Sequence, residues 1–229
     1  MKDLFGRALL DYYENKFTPP LLLHNEYGPP EVIPIDRYFI DHNEFSELEV
    51  FALQNAVGKV LDIGAASGRH ALYLQGLGMD ARAMDISNAC CQLMHKAGIQ
   101  KVICKDIYSF SNEEFDTLFM LMNGIGIAGS IEGLKQLLNH LKEVLKPTGQ
   151  LIIDSSDISY LFSDNEIPID RYFGELKFHY EYRGRFDEEF GWLYIDQETL
   201  YNVALSQGWT CQIIFTDETD AYLARLQRI

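Results

Sequence analysis

Residues 59–70, Lys-Val-Leu-Asp-Ile-Gly-Ala-Ala-Ser-Gly-Arg-His, constrain the fold of this chain more than any other stretch. Val60, Leu61 and Ile63 form the short apolar, partly β-branched run of a strand covered on both faces. Asp62 interrupts that run, and Gly64 and Gly68 follow it. Glycine permits a tight turn and lets a ligand approach bare backbone. A helix starting there presents unpaired N–H groups, a setting that suits a polar or anionic group. The stretch therefore predicts a strand, a glycine loop and a helix, the opening unit of an α/β domain.

Flanking segments extend this pattern. Leu4, Phe5, Ala8, Leu9 and Tyr12 carry helical spacing over residues 4–13. In residues 18–34 the pairs Pro19-Pro20 and Pro29-Pro30, with Gly28 and Pro34, exclude helix and predict a folded-over loop. A second helix is expected over residues 44–55, ending by Gly58. Beyond Gly68, strands are expected at 81–85, 101–104, 115–122 and 150–153, with helices over 69–78, 87–97 and 131–145 between them. Such alternation implies a parallel, doubly wound sheet.

Residues 175–194 break the rhythm. Leu176, Phe178, Tyr180 and Tyr182 alternate, and aromatics return after Gly184, so an inserted β-hairpin is expected. A helix over 197–207 and strands at 210–215 and 222–226 complete the chain. A turn as short as the one between these strands requires an antiparallel pair. The expected fold is α/β, a doubly wound, mostly parallel seven-stranded sheet with a C-terminal antiparallel hairpin and an inserted β-hairpin. A single domain, 1–229, accommodates it: a helical and loop cap (1–57), a core (58–154), an inserted substrate or lid region (155–195) and a C-terminal helix with a strand pair (196–229).

Charge narrows the partners. With 34 acidic and 19 basic residues the chain carries a formal charge of −15, and no Lys/Arg cluster offsets it, so nucleic acid is disfavoured. No apolar run approaches the roughly 20 residues of a membrane span, and the N-terminus has no signal-peptide run, so a cytoplasmic protein without a membrane partner is expected. Cys90, Cys91, Cys104 and Cys211 lack metal-ligand spacing, and no metal is expected.

The pattern hydrophobic-Asp-hydrophobic-Gly-x-x-x-Gly around Asp62 resembles the first motif of class I S-adenosylmethionine-dependent methyltransferases. The resemblance covers residues 59–154 by motif and the last thirty residues by topology. It implies S-adenosyl-L-methionine as cofactor, with Asp62, Gly64, Ala65, Ala66 and Gly68 around the glycine loop. Asp85, at a strand end about twenty residues past the first glycine, is placed to accept from both ribose hydroxyls. Ile86 would pack on adenine, Asp106 would accept from its amino group with the Ile107 N–H beside it, and Asn123 would lie by the methionine tail. These positions all follow parallel strands, where the ligand crevice of a doubly wound sheet lies.

Two alternatives stay open at this level. An NAD(P)-dependent oxidoreductase would share the first strand and the ribose carboxylate, although the middle glycine of Gly-x-Gly-x-x-Gly is absent. A non-catalytic S-adenosylmethionine-binding or partner-binding domain is the other. A sulfonium methyl group is already electrophilic, so the enzyme needs alignment and, for some acceptors, a base. Asn123 is not followed by Pro-Pro-aromatic and no Pro-Cys nucleophile occurs, which leaves a small-molecule acceptor. Asp154, Asp157 and His24 are the candidate bases, with His42 and His179 behind them. Tyr12, Tyr13, Arg37 and Tyr38 are candidates to close over the cofactor carboxylate, the hairpin is expected to cover the acceptor, and Trp192 and Trp209 belong either to its pocket or to the core.

Overall fold

Apolar strands alternating with amphipathic helices generate the larger of two sheets. The structure, a computed structural model, describes residues 3–16, 18–111, 113–162 and 168–229. Its elements are, in chain order, α1 (Leu4–Tyr13), β1 (Leu21–Asn25), β2 (Glu31–Ile33), α2 (Glu47–Gln54), β3 (Val60–Ile63), α3 (Arg69–Gly76), β4 (Ala81–Asp85), α4 (Asn88–Lys96) and β5 (Val102–Cys104). There follow β6 (Phe115–Met120), α5 (Ile131–Leu141), β7 (Leu145–Ser156), β8 (Glu175–Tyr182), β9 (Arg185–Phe186), β10 (Phe190–Leu193), α6 (Gln197–Ser206), β11 (Trp209–Thr216) and β12 (Ala221–Arg228). No helix among the described residues is long and apolar enough to cross a membrane.

The seven-stranded sheet has the order β11-β12-β7-β6-β3-β4-β5. Strands β3 to β7 run parallel, whereas β12 is antiparallel to both β7 and β11. The expected doubly wound sheet and C-terminal antiparallel pair are thus both present. The chain winds outward from β3 to β5 and returns to β6 on the other side, so its direction reverses between β3 and β6, where such sheets bind ligands. Helices cover both faces. Leu134, Leu138, Leu200 and Ala204 of α5 and α6 pack with Leu61, Leu118 and Leu151. Leu48, Leu53 and Leu74 of α2 and α3 pack with Val60, Phe119 and Ile152 on the other side, the two-residue period of a strand buried on both faces. Trp209 is fully buried in the first of these layers and belongs to the core.

Residues 18–34 correct the sequence reading. They form β1 and β2, paired antiparallel with Leu21 opposite Ile33, rather than a folded-over loop. Strand β8 adds to β1, giving a second, antiparallel sheet of five strands in the order β10-β8-β1-β2 with β9 on β8. The cap is therefore part strand, and the inserted region contributes three strands instead of a two-stranded hairpin. Both proline pairs lie outside the strands, at positions that need no ladder N–H. The pairing between β1 and β8 joins segments some 150 residues apart, as with His24 opposite His179, and no local pattern signals it.

Helix α1 ties this lid sheet to the core. Asp3 caps α1 through the Gly6 N–H and also accepts from the Ser87 hydroxyl and Ala89 N–H at the start of α4. Phe5 stacks on Tyr180 of β8 at 5.5 Å. Asp11 is fully buried and meets Arg7 at 2.9 Å, Lys16 at 3.6 Å and Arg183 at 3.0 Å, and it accepts from the Tyr182 hydroxyl at 3.3 Å. Those three cations are 44–51% exposed and can return to water, so Asp11→Ala is expected to cost about 1–2 kcal/mol rather than the larger penalty of an orphaned buried charge. Urea unfolding checks this.

Candidate active site

Backbone and side chains both hold the glycine loop. Gly64 N–H and Ala65 N–H both donate to the Met84 carbonyl at 2.9 Å, which fastens the loop to β4. Gly64, Ala66 and Gly68 take φ of 73°, 54° and 79°, a region that costs a residue with a Cβ about 1–2 kcal/mol. At Gly68 a Cβ would lie 2.1 Å from the Ile99 Cδ1 and 2.9 Å from the Met94 Cγ, so any other residue adds a repacking of those side chains to the backbone strain. At Gly64 no atom stands within 4 Å of where a Cβ would be, so bare backbone faces open space. Asp62, 2% exposed, has an Oδ2 with no hydrogen-bond partner, and burial pushes its carboxyl group up. An orphaned acceptor beside an open glycine backbone matches the needs of a methionine ammonium group.

Asp85 ends β4 and grips the same loop: its Oδ2 accepts from Ala66 N–H at 2.9 Å and its Oδ1 from Ser87 N–H at 2.8 Å. Burial pushes this carboxyl group up as well. Ile86 next to it is 65% exposed, an unusual position for a large apolar side chain at a strand end. Asp106, after β5, is exposed and caps a short turn by accepting from Tyr108 N–H at 3.0 Å. The Ile107 side chain is buried in the core, which leaves only its backbone for a ligand.

At the end of β6, Met122 and Asn123 have φ of 59° and 55°, two successive left-handed residues that carry a cost of order 1–3 kcal/mol each. Their surroundings hold them there. Asn123 N–H donates to Asp154 Oδ1 at 3.0 Å, its Oδ1 accepts from the Ser155 hydroxyl at 2.8 Å, and its Nδ2 donates to the Leu193 carbonyl at 3.3 Å. The Asn123 side chain is therefore occupied in joining β6, β7 and β10. Asp154 is pushed up to about 7, chiefly by burial, which outweighs the Asn123 hydrogen bond.

Beside Asp154, Glu49 of α2 accepts from Arg69 Nη2 and lies 2.8 Å from His70 Nε2. Arg69 also lies over the Phe45 ring at 4.6 Å and meets the Met122 sulfur at 3.0 Å. These groups border a cavity of about 380 Å³ lined by Arg37, Glu49, Arg69, Met122, Asp154 and Asp217 among others. Five parallel strands thus bring Asp62, Asp85, Asp106, Asn123 and Asp154 to one edge of the sheet.

Residues 61–153 match the family described as "Methyltransferase domain". The chain is 34% identical to a SAM-dependent methyltransferase from Bacteroides fragilis, solved in complex with S-adenosyl-L-homocysteine, over 99% of this chain and 95% of that one, with a TM-score of 0.91. The chain belongs to the class I S-adenosylmethionine-dependent methyltransferases. The CcbJ methyltransferase from Streptomyces caelestis shares its fold at 14% identity, covering 98% of each chain with a TM-score of 0.65. So does a S-adenosylmethionine-dependent methyltransferase from Clostridium acetobutylicum, at 14% identity over 84% of this chain and 94% of that one, with a TM-score of 0.62. No curated protein matches the sequence at a significant level.

The other candidates of this methyltransferase, save Asp157 just past β7 and Arg37 at the cavity, lie away from the strand ends. His24 and His179 stack on each other at 4.6 Å, and His24 pairs with Glu181 at 2.9 Å, on the face of the lid sheet opposite the buried Leu176, Phe178 and Tyr182. His42 is exposed and stacks on Tyr73. Asp157 accepts from Ser159 N–H, a turn-capping contact. Tyr12 and Tyr13 stack on Phe39 at the surface, whereas Tyr38 lies against Phe5 beside the lid and Arg37 lines the cavity. Trp192 packs over Gly126, where a Cβ would lie 2.1 Å from its Nε1, so β10 sits directly on the loop after β6. Glu49, Arg69 and His70 went unread in the sequence. Ser46-x-x-Glu49 has capping-box spacing and forms one, and Arg69 follows the second motif glycine.

Proposed function

We propose that this methyltransferase carries a methyl group from S-adenosylmethionine to a small-molecule acceptor bound between the lid sheet and the ends of β6 and β7. The observation that carries the cofactor half is the unfilled acceptor at Asp62 beside the open side of Gly64. In this reading Asp62, Gly64, Ala65, Ala66 and Gly68 receive the methionine end, and Asp85 accepts from the ribose. Ile86, Asp106 and the Ile107 backbone receive the adenine, and Asn123 shapes the floor near the methyl group. Arg37 faces the cofactor carboxylate. Bound S-adenosylmethionine supplies an electrophilic methyl group, and the chain's own part is to align the nucleophile and exclude water.

The acceptor side rests on the lid sheet, which the cap and the inserted region jointly build; its aromatic residues Phe190, Trp192 and Tyr194 pack together, and Trp192 sits on Gly126 in the loop after β6. A net charge of −15 favours neither nucleic acid nor an anionic membrane as partner, and a cytoplasmic setting is part of the same proposal. Calorimetric titration with S-adenosylhomocysteine, NAD and NADP tests the cofactor. Micromolar binding of S-adenosylhomocysteine alone is expected. Binding of a nicotinamide cofactor alone would point to hydride transfer instead.

A further inference from the structure

We infer that the acceptor is a primary or secondary amine and that Asp154 takes its proton; the inference rests on the methyl-transfer reading above. Asp154 closes the cavity at the carboxyl end of β7, next to the strained Met122–Asn123 turn. Its Oδ1 accepts from the Asn123 backbone, and among the described residues no Lys or Arg pairs with it within 4.0 Å. Two arginines share the cavity with Asp154: Arg69 is committed to Glu49, and in the proposed complex Arg37 faces the cofactor carboxylate. Asp154 is half-buried, and a partly desolvated carboxylate without an ion-pair partner is costly unless a ligand brings one; an ammonium group does so.

Other acceptor classes fit less well. A carboxylate acceptor would meet Asp154, Glu49 and Asp217 around a cavity whose two arginines are taken, Arg69 by Glu49 and Arg37, in the proposed complex, by the cofactor carboxylate. Aliphatic alcohols hold their proton too tightly for a carboxylate to remove. Phenols are closer in acidity to ammonium groups, but the surroundings oppose phenolates: burial pushes Tyr38 up to about 12 and raises Tyr180 and Tyr194 as well. Burial has the opposite consequence for an ammonium ion, since losing the proton leaves a neutral, nucleophilic nitrogen. The proton passes to an Asp154 oxygen, the nitrogen lone pair forms the N–C bond as the C–S bond breaks, and that electron pair stays on sulfur as the thioether. The methylated amine leaves protonated, and Asp154 returns its proton to solvent.

The groups that face Asp154 set its working range. Glu49 raises its carboxyl and His70 lowers it, Asn123 N–H donates to it, and Arg37, Arg69 and Asp217 share the cavity. The charge on Asp154 also raises Tyr194 and Tyr222. Asp154 must be ionised to accept the proton, so methyl transfer should rise with pH through a limb at or below about 7, lowered further by the positive sulfonium of the cofactor.

The test uses the full-length enzyme and labelled S-adenosylmethionine. A library of primary and secondary amines is screened beside matched alcohols, phenols and carboxylates on the same carbon frames. Preferred methylation of amines is expected. Asp154→Asn, which keeps an oxygen for Asn123 N–H, should lower kcat by about 100-fold or more and erase the pH limb, while S-adenosylhomocysteine affinity stays within about threefold of wild type. Asp154→Glu should restore part of the rate, and the wild-type pH profile decides the matter if the asparagine variant does not fold. Preference for an alcohol, phenol or carboxylate would overturn the inference. So would an Asp154→Asn enzyme at full rate, or S-adenosylhomocysteine binding with no amine methylated. Failure of wild type to bind S-adenosylhomocysteine would instead bring down the cofactor reading beneath it.

Discussion

Replacement of Asp85 by alanine is expected to weaken S-adenosylhomocysteine binding by at least about 100-fold, with a much smaller effect on folding. Two hydrogen bonds from ribose hydroxyls to a charged acceptor are each worth about 1.5–3 kcal/mol, and one such loss is already close to tenfold or more. The same carboxylate also holds Ala66 N–H and Ser87 N–H, so its removal frees the loop that receives the methionine end. Folding is spared because burial raises the Asp85 carboxyl, which means that its charge is a cost the protein carries for binding. A raised carboxyl group contributes no stability at neutral pH, and binding, which needs the ionised form, should weaken as pH falls into its raised range. Asp85→Asn should be intermediate, since its amide can satisfy Ala66 but sets a donor against Ser87 N–H. Calorimetry for binding and urea unfolding for stability measure the two effects separately. Equal losses in both would show Asp85 to be a structural residue.

The seven-stranded sheet was legible because its signals are local. Apolar runs at Val60–Ile63 and Phe115–Met120, each ending near glycine or asparagine, stand out within a few residues. The candidate cofactor residues from Asp62 to Asn123 could be named for the same reason, because they lie at or shortly past the carboxyl ends of parallel strands. The lid sheet was not. Strand β1 owes its identity to β8, on the far side of the core segment, and β2 has three residues of which two are exposed, too short and too open for alternation to show. The network of Glu49, Arg69 and His70 was hidden by the same distance, since α2 meets the glycine loop only after the sheet has formed. Asp154 was visible as a residue at a strand end, but its lack of an ion-pair partner beside two arginines is a property of the assembled crevice.

Glu49→Ala is expected to destabilise the protein by about 3–5 kcal/mol, the cost of removing one partner from a buried ion pair. Glu49 Oε1 serves Arg69 and His70, while its Oε2 accepts from the Ser46 N–H at 3.1 Å and hydroxyl at 3.0 Å to complete the α2 capping box. Without it the Arg69 guanidinium, 9% exposed, keeps its charge in the interior with no ion-pair partner. Burial by itself would push Glu49 up, but the His70 hydrogen bond and the charges of His70 and Arg69 outweigh burial and hold it down to about 2. A depressed carboxyl group stabilises the fold fully above its ordinary value of 4.5 and loses that contribution as pH falls toward about 2. The difference in unfolding free energy between wild type and Glu49→Gln should therefore be flat from neutral pH down to about 5 and shrink below it. A difference that does not change with pH would mean that Glu49 acts through packing and its cap, not its charge. Because Arg69 borders both the glycine loop and the cavity, Glu49 variants should lose cofactor affinity along with stability, whereas Asp85 variants should lose affinity almost alone. That contrast separates the residue that holds the site in place from the one that holds the ligand.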